Sequence, residues 1–332
     1  MRPVILLTNP VHDEVRARLQ AVGDVVMNAA GEPWRAEEVA DRVREATALM
    51  GFMTDRVDAA LLKNAPRLRI VAAALKGYDS YDAAACARAG VWLSIVPDLL
   101  TESTAELAVG LAIGLGRHVR AGDRYVREAD YRGWRAHFYG TGLKDAVVAV
   151  VGLGHVGRAI VERLAGFGCA RLLGVDPGAG LPGVEAVGLD AALAEADFLL
   201  LAAPLTPATR HLLDAGRLQR CKQGQLIVNV GRGSVVDERA LADALAAGRV
   251  GGYAADVFAC EDRGLPDPPA GIPPALLAHP ATLFTPHLGS AVRRVRLAIE
   301  HRAADNIIAV LEGRVPPDAI AGPPAAMAEA YS

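Results

Sequence analysis

The chain has 332 residues, 52% of them hydrophobic and 22% charged, which allows two domains and excludes a wholly disordered protein. The net charge of -3 has no basic excess, which argues against nucleic-acid binding. No apolar stretch is long enough for a signal peptide or a membrane span, and the four cysteines are scattered without metal-ligand spacing. We therefore expect a cytoplasmic protein without a metal ion that binds neither membranes nor nucleic acids.

Residues 1–98 alternate strand candidates with amphipathic stretches, which is typical of a parallel sheet with crossover helices. The strand candidates are 4–7, 24–27, 48–53, 68–74 and 91–95, and the clearest amphipathic stretches are 12–19 and 33–46. Residues 1–98 contain no glycine motif of the kind that binds nucleotides. Two of its strands run into the polar segments 53–56 and 75–79, which we expect to face a cleft.

Residues 97–101 are predicted to cross between domains, and one long helix is predicted from about 104 to 127. Tyr131, Trp134, Phe138 and Tyr139 then follow within nine positions. In a chain with only 5% aromatic residues, this cluster indicates a surface that packs on something. Core packing under a loop and contact with another subunit are equally open interpretations.

The segment 147–157 contains a buried parallel strand followed by glycines at 152, 154 and 157. A helix over 158–165 follows, and a second strand ends at Asp176, about 20 residues beyond the glycines. Glycines at this spacing let a pyrophosphate approach the backbone at the helix N-terminus, and the acid binds ribose hydroxyls. The alternative is an ordinary strand–helix turn that contains glycine.

The strand–helix alternation then continues to about residue 284. A buried strand that runs into a loop is predicted over 198–205, and further strands at 225–230, 252–258 and 282–287. A helix over 239–247 is predicted to be capped by Asp237 and Glu238. Residues 264–274 are rich in proline and glycine and are predicted to form a surface loop. A last helix over 292–311 returns the chain to the first domain, and the tail 313–332 shows no periodicity and is expected along the surface.

Three chemically capable residues lie at or just past three consecutive strand ends of the second half: Arg232, Glu261 and His287. Ligands of doubly wound sheets bind beyond such ends. Arginine can grip an oxyanion, histidine exchanges a proton near neutral pH, and a carboxylate beside histidine favours its charged form. A lone His or Glu in a loop is usually solvated or structural, but three at neighbouring strand ends indicate a catalytic site.

The segments 229–237, 255–261 and 285–287 resemble the three signatures of the D-2-hydroxyacid dehydrogenase family. The resemblance implies that Arg232 positions an anionic substrate, His287 is the acid/base and Glu261 supports it. It implies an α/β fold of two Rossmann-like doubly wound parallel-sheet domains. Residues 1–98 and 292–332 would form a discontinuous substrate domain, and 99–291 an inserted NAD-binding domain with a dimerisation arm over about 99–145. It further implies a homodimer.

Within that family, the segments 73–79, 91–101, 138–143 and 287–293 resemble the phosphonate (phosphite) dehydrogenases. Most other members have a small residue where Lys76 stands. The leading hypothesis is therefore oxidation of phosphite to phosphate with reduction of NAD, in which His287 activates water while Lys76 and Arg232 neutralise the anion. A solvated surface lysine is the alternative for Lys76.

The resemblance also implies the residues of both binding sites. Those expected at the substrate are Lys76, Gly77, Met53, Leu100, Arg296, Trp134, Tyr139 and Ser290. Those expected at the cofactor are Thr104, Gly152, Gly154, His155, Val156, Gly157, Asp176, Ala203, Pro204, Leu205, Val230, Gly231, Arg232, Asp256 and His287. Asp176 would repel a 2′-phosphate, so NAD is expected over NADP.

Two other functions stay open. The first is a conventional reductase of 2-oxo acids such as glyoxylate or hydroxypyruvate, which uses the same Arg/Glu/His set. The second is a dinucleotide-sensing binding protein like the C-terminal-binding co-repressors, although no extra partner-binding region indicates it. The sequence departs from the phosphonate dehydrogenases at Gly231, at 259–260 and over 263–272, which leaves the shape of the pocket open.

Overall fold

The computed structural model describes residues 2–178 and 180–323, which form thirteen strands and twelve helices. The strands are β1 Val4–Leu7, β2 Asp24–Met27, β3 Ala48–Gly51, β4 Ile70–Ala73, β5 Trp92–Ser94, β6 Val147–Val151, β7 Arg171–Val175, β8 Glu185–Ala186, β9 Phe198–Leu201, β10 Gln225–Asn229, β11 Val250–Ala255, β12 Thr282–Phe284 and β13 Ala319–Ala321.

The helices are α1 Asp13–Val22, α2 Ala36–Arg42, α3 Ala59–Lys63, α4 Ala83–Arg88, α5 Thr101–Gly116, α6 Val119–Glu128, α7 His155–Leu164, α8 Leu189–Glu195, α9 Ala215–Leu218, α10 Glu238–Ala246, α11 Pro274–Ala278 and α12 Arg293–Leu311. Short 3-10 turns occur at Val43–Glu45, Ala165–Phe167, Gly233–Val235 and Ala259–Glu261. In the described part of the chain, none of the helices combines the length and apolar character needed to cross a membrane.

The chain divides into two compact units. Unit 1 comprises residues up to Leu100, Arg263–Asp267 and the described residues from Val292 onward. Unit 2 comprises Thr101–Asp262 and Pro268–Ala291. Each unit contains one sheet built mainly from parallel strands, so the predicted α/β class with two Rossmann-like sheets is confirmed.

Unit 1 has a six-stranded sheet in the order β13-β5-β4-β3-β1-β2. Its strands are parallel except β13, which pairs antiparallel with β5. Four consecutive residues of β3 and of β4 are buried, because helices cover both faces of a parallel sheet. Apolar clusters lie on the two faces, and α12 contributes Ile299, Ala303 and Ile307 to one of them.

Unit 2 has a seven-stranded parallel sheet in the order β12-β11-β10-β9-β6-β7-β8. The strand order reverses between β6 and β9, and ligands of such sheets bind beyond the carboxyl ends at this point. The apolar helix α5 packs on one face with Leu111 and Ala112, and α10 packs on the other with Leu241 and Leu245.

The prediction of one long helix from 104 to 127 is wrong. The chain breaks after α5 at Arg117 and His118, and His118 adopts a φ of 53°. The break coincides with a change of surroundings, since most of α5 is buried and α6 has no buried residue. Gly116, the last residue of α5, packs against the backbone of Thr141, where a Cβ would lie 2.5 Å from the carbonyl oxygen.

The prediction that the tail lacks regular structure is also wrong for its described part. Residues 319–321 form β13 on the edge of the unit 1 sheet, because Asp318 is held by α12. The Asp318 carboxylate accepts hydrogen bonds from Arg302 at 2.6 and 2.8 Å and from Asn306 at 2.8 Å. Residues 324–332 lie outside the described part of the chain.

The aromatic cluster after α6 does not belong to the core of unit 2. Trp134 is 78% exposed and Tyr139 is 80% exposed. Tyr131 and Phe138 contact the ring of Tyr125 edge-on, with centroids 6.1 and 5.7 Å away. Of the two interpretations of this cluster, core packing is therefore wrong.

One buried carboxyl group fixes the loop after β3. Asp55 is 7% exposed, and its carboxylate accepts hydrogen bonds from the Thr8 hydroxyl and, at 2.7 Å, from the Phe52 N–H. The Tyr81 hydroxyl donates to the Phe52 carbonyl at 2.8 Å. Burial raises the pKa of Asp55 to about 6, because desolvation outweighs the two hydrogen bonds.

This raised pKa predicts a pH-dependent contribution to stability. Asp55 stabilises unit 1 when protonated, and that contribution is lost as pH rises through about 6. A shift of about two units corresponds to about 3 kcal/mol at most. Urea unfolding between pH 4 and pH 7 should therefore show a shallower fall in the free energy of unfolding for Asp55→Asn than for the wild type. Asp58→Asn, at the half-buried N-cap of α3, is the control. Parallel curves for wild type and Asp55→Asn would contradict the prediction.

Candidate active site

The turn between β6 and α7 brings backbone segments unusually close together. Gly152 has a φ of 88°, in the left-handed region that favours glycine. A Cβ at Gly157 would lie 1.9 Å from the Gly152 carbonyl oxygen, so a side chain there would force the turn open. Gly154 is the N-cap of α7, and no side chain caps this helix. The positive end of the helix dipole is therefore open to an anion.

Asp176 lies just beyond β7 and is bonded to the glycine turn. Its Oδ2 accepts a hydrogen bond of 2.8 Å from the Leu153 N–H, and its Oδ1 accepts one of 2.9 Å from the Gly178 N–H. The carboxylate is therefore fixed beside the turn. The glycine turn, the uncapped helix and this acid together fit the diphosphate and ribose of a dinucleotide.

Arg232 is held by the buried side chain of Asn229, the last residue of β10. The Asn229 Nδ2 donates to the Arg232 carbonyl at 2.9 Å, and its Oδ1 accepts from the Gly231 N–H at 3.0 Å. Gly231 lies against the loop after β9, where a Cβ would be 2.5 Å from the Ala203 carbonyl oxygen. The lack of a side chain at Gly231 therefore lets these two loops approach each other.

Glu261 and His287 form the central ion pair of the site. The His287 Nδ1 lies 2.7 Å from the Glu261 Oε2, and the other carboxylate oxygen accepts from the Phe258 N–H at 3.1 Å. Both side chains are about one-third exposed. His287 has a φ of 57°, and its N–H donates to the Asp256 carbonyl at 2.9 Å. The pair leaves the Nε2 of His287 as the ring atom for proton exchange.

Asp256 anchors the loop that carries His287. It is 2% exposed, and its carboxylate accepts from the Thr285 hydroxyl at 2.6 Å, the Leu288 N–H at 2.6 Å and the Gly289 N–H at 2.9 Å. Sequence reasoning assigned Asp256 to the cofactor and missed this anchoring role, and it missed Asn229 entirely. The only sequence signal was a short polar residue at or just past a strand end, which is typical of loop-anchoring hydrogen bonds.

The cationic candidates of unit 1 lie near the carboxyl end of β4. The Lys76 Nζ is 3.0 Å from the Asp98 Oδ1, so this lysine has a carboxylate partner. Arg296, on α12, donates to the Ala74 carbonyl at 3.3 Å, and its Nε lies 3.9 Å from the Glu300 carboxylate. Burial lowers the pKa of Arg296 below its ordinary value, and the negative charge of Glu300 offsets part of this shift.

The remaining predicted site residues divide between the two units, and their roles stay predictions. Unit 1 contains Met53, Gly77 and Leu100. Unit 2 contains Thr104, Trp134, Tyr139, His155, Val156, Ala203, Pro204, Leu205, Val230 and Ser290. Arg232, Glu261 and His287 all lie in unit 2, whereas Lys76 and Arg296 lie in unit 1. Across residues 2–178 and 180–323, no three His, Cys, Asp or Glu side chains are grouped to hold a metal ion.

Comparison with known proteins gives a consistent result. Residues 109–289 match the family described as "D-isomer specific 2-hydroxyacid dehydrogenase, NAD binding domain". The chain is 32% identical to the glyoxylate reductase of Korarchaeum cryptofilum, over 96% of either chain.

Two solved structures resemble the whole fold. A protein of Thermus thermophilus superposes with a TM-score of 0.87 at 33% identity, covering 96% of this chain and 99% of that one. The NADPH-dependent glyoxylate/hydroxypyruvate reductase of Sinorhizobium meliloti, solved with NADP and malonate, superposes with a TM-score of 0.82 at 28% identity, covering 97% and 98%.

Proposed function

The chain belongs to the D-isomer specific 2-hydroxyacid dehydrogenase family, and from that premise we propose that it reduces small 2-oxo acids, of the glyoxylate and hydroxypyruvate type, with a nicotinamide cofactor. The observation that carries the substrate class is the similarity, along nearly the full length, to proteins named glyoxylate reductase. The sequence alone led to phosphite oxidation, and the relatives support the alternative better. The Glu261–His287 pair serves the proton transfer that either reaction needs.

Arg232 is proposed to bind the carboxylate of the 2-oxo acid. A guanidinium group offers paired N–H donors that match a carboxylate, and this one follows a loop that Asn229 holds rigid. The Arg232 NH1 also donates to the Gly231 carbonyl at 2.9 Å. When Arg232 binds the carboxylate in this way, the 2-oxo carbonyl of the substrate is oriented before the reaction begins.

His287 is proposed to donate a proton from Nε2 to the carbonyl oxygen as that oxygen becomes a hydroxyl group. The Glu261 carboxylate, 2.7 Å from Nδ1, favours the charged imidazolium that this donation requires. In the reverse direction the neutral ring accepts the same proton from the 2-hydroxy acid. Glu261 therefore orients the ring and stabilises its charge.

Unit 2 is proposed to bind the cofactor. Gly152, Gly154 and Gly157 would receive the diphosphate, while Asp176 would accept hydrogen bonds from the ribose hydroxyls. When bound, the nicotinamide supplies or accepts the hydride.

A homodimer is proposed from the aromatic cluster beyond α6. Four large apolar side chains are exposed there: Trp134, Tyr139 and, on α6, Val119 and Val126. Burying side chains of this kind lowers the free energy. A second copy of the chain would cover them. A monomer found by analytical ultracentrifugation at micromolar concentration would contradict this.

Phosphite oxidation is kept as a second candidate because Lys76 lies just beyond β4. Phosphite is a dianion at and above neutral pH, so a second cation stabilises it more than it stabilises a monoanionic 2-oxo acid. The contact of 3.0 Å with Asp98 compensates part of that positive charge in unit 1.

The fixed carboxylate of Asp176 predicts a preference for NAD(H) over NADP(H). A 2′-phosphate would meet a like charge beside the glycine turn. We expect kcat/KM to be higher with NADH than with NADPH in the wild type, and Asp176→Ala to narrow that ratio. Asp190→Ala, which removes an exposed carboxylate from α8, should leave the ratio unchanged. Equal efficiency of the wild type with both cofactors would show the assignment to be wrong.

The proton-transfer assignment predicts that His287→Ala loses about a hundredfold or more in kcat while its Kd for NADH changes little. Glu261→Gln should keep measurable turnover, but its pH–rate profile should move to lower pH in the direction of reduction, because the neutral amide no longer favours imidazolium. His211→Asn, at an exposed histidine of unit 2, is the matched control. If His287→Ala retains wild-type turnover, the acid/base lies elsewhere.

Steady-state assays with glyoxylate, hydroxypyruvate and phosphite separate the candidate functions. We expect brisk reduction of the 2-oxo acids and little oxidation of phosphite, and Lys76→Met should then change kcat/KM for glyoxylate by less than about threefold, as expected for an exposed ion pair. If phosphite is the substrate, Lys76→Met should lose at least tenfold, since a charge-assisted contact is worth about 1.5–3 kcal/mol. Lys63→Met, at the exposed end of α3, controls for the loss of a lysine. Turnover of none of the three would favour a binding role.

A further inference from the structure

Two buried carboxyl groups in unit 2 have no part in the mechanism derived above. Glu238, the first residue of α10, is 5% exposed, and Asp262 is 3% exposed. Asp262 directly follows the 3-10 turn Ala259–Glu261, which ends on the carboxylate that contacts His287. Buried carboxyl groups are costly unless hydrogen bonds satisfy them, so the groups that they bond are informative.

Glu238 holds the turn that carries Glu261. Its Oε1 accepts a hydrogen bond of 2.8 Å from the Ala259 N–H, at the first residue of that turn. Its Oε2 is buried and has no hydrogen-bond partner among the residues that the structure describes. This bond ties the start of the turn to α10, and the same turn ends on Glu261, which contacts His287.

Asp262 ties the same turn to the loop of Arg232. Its Oδ2 accepts a hydrogen bond of 2.7 Å from the Ser234 N–H, in the 3-10 turn that starts directly after Arg232. The two turns also touch through their backbones, because a Cβ at Gly233 would lie 1.9 Å from the Phe258 carbonyl carbon. The two carboxyl groups thus join the loops that carry Arg232 and Glu261.

The surroundings of Glu238 favour its neutral form. Burial raises its pKa, and the carboxylates of Asp262, Glu261 and Asp237 raise it further, against the lowering effect of the Ala259 N–H. Burial raises the pKa of the Tyr253 hydroxyl, on β11, and Glu238 raises it further. A neutral glutamic acid and a glutamine have nearly the same shape and the same acceptor oxygen, which makes Glu238→Gln a conservative test.

We propose that Glu238 and Asp262 are positioning residues that hold Glu261 and Arg232 as one rigid block, so that proton transfer through His287 depends on a hydrogen bond made by α10. The inference rests on the roles given to Arg232, Glu261 and His287 under the proposed function. Neither carboxyl group needs to touch substrate or cofactor.

The kinetic test compares Glu238→Ala, Glu238→Gln and the wild type on whichever substrate the wild type turns over. Glu238→Ala should lose about tenfold to hundredfold in kcat, because small displacements of catalytic groups have effects of this size. KM for NADH should stay within about twofold, and the pH–rate profile for reduction should move to lower pH, as it does when Glu261 no longer favours imidazolium. Glu238→Gln should restore kcat to within about threefold of the wild type. Glu238→Asp, whose side chain is too short to reach Ala259, replaces the alanine variant if that variant does not fold.

The control is Asp214→Ala, which removes the N-cap of α9 and so weakens another helix start in the same unit. It should lower Tm as Glu238→Ala does, but leave kcat and the pH profile unchanged. If Glu238→Ala behaves like this control, its role is only structural and the proposal is overturned. A glutamine variant as impaired as the alanine variant would also overturn it, because charge would then matter instead of the hydrogen bond.

Hydrogen–deuterium exchange of the peptide that covers Ala259–Glu261 provides a readout independent of substrate. Glu238→Ala should speed exchange of this turn at least tenfold, whereas Glu238→Gln and Asp214→Ala should not. This measurement tests the positioning role even if the wild type turns over neither a 2-oxo acid nor phosphite. Unchanged exchange in Glu238→Ala would contradict the proposal whatever the substrate is.

Discussion

Parallel pairing of β10, β11 and β12 is the constraint on which the site of unit 2 depends. The register sets Asn229 beside Ala255, and Ala255 beside Phe284, so three successive strands end at one edge of the sheet. The pairing of the strands therefore brings the residues that follow these ends together, and Glu261 and His287 then contact each other. All five residues of β10 are buried, so the strand at the centre of this edge is packed on both faces of the sheet.

Polar side chains at this edge convert neighbouring loops into a preorganised site. Asn229 holds the loop of Arg232, Asp256 holds the loop of His287, and Glu261 is itself bonded to the Phe258 N–H. Each of these bonds joins a side chain to a backbone group of a loop. The same interactions thus place the proposed catalytic residues and meet the hydrogen-bonding needs of the loops. A preorganised site of this kind stabilises developing charge without reorganising during the reaction.

Glycine residues also shape the site, because they let backbone segments approach each other closely. Gly157 packs on the Gly152 carbonyl, and Gly231 packs on the Ala203 carbonyl. The first contact shapes the turn proposed for the diphosphate, and the second brings the Arg232 loop against the end of β9. Gly231 is one of the departures from the phosphonate dehydrogenases, and its tight surroundings show that this position bears on how the two loops pack.

The sequence by itself determined the fold class, the glycine turn and the three catalytic candidates, because these depend on local patterns: apolar runs of strand length, glycine spacing and polar residues at strand ends. The break between α5 and α6, the strand β13 and the exposure of Trp134 were decided only by tertiary structure. Each depends on what packs against the segment, which the chain's local pattern does not encode. Tertiary structure alone also decided the roles of Asp256, Glu238 and Asp262, because the N–H groups that they bond lie about 20 to 33 residues away along the chain. A buried carboxylate and a solvated one look alike in sequence, and only the folded chain shows which N–H groups it satisfies.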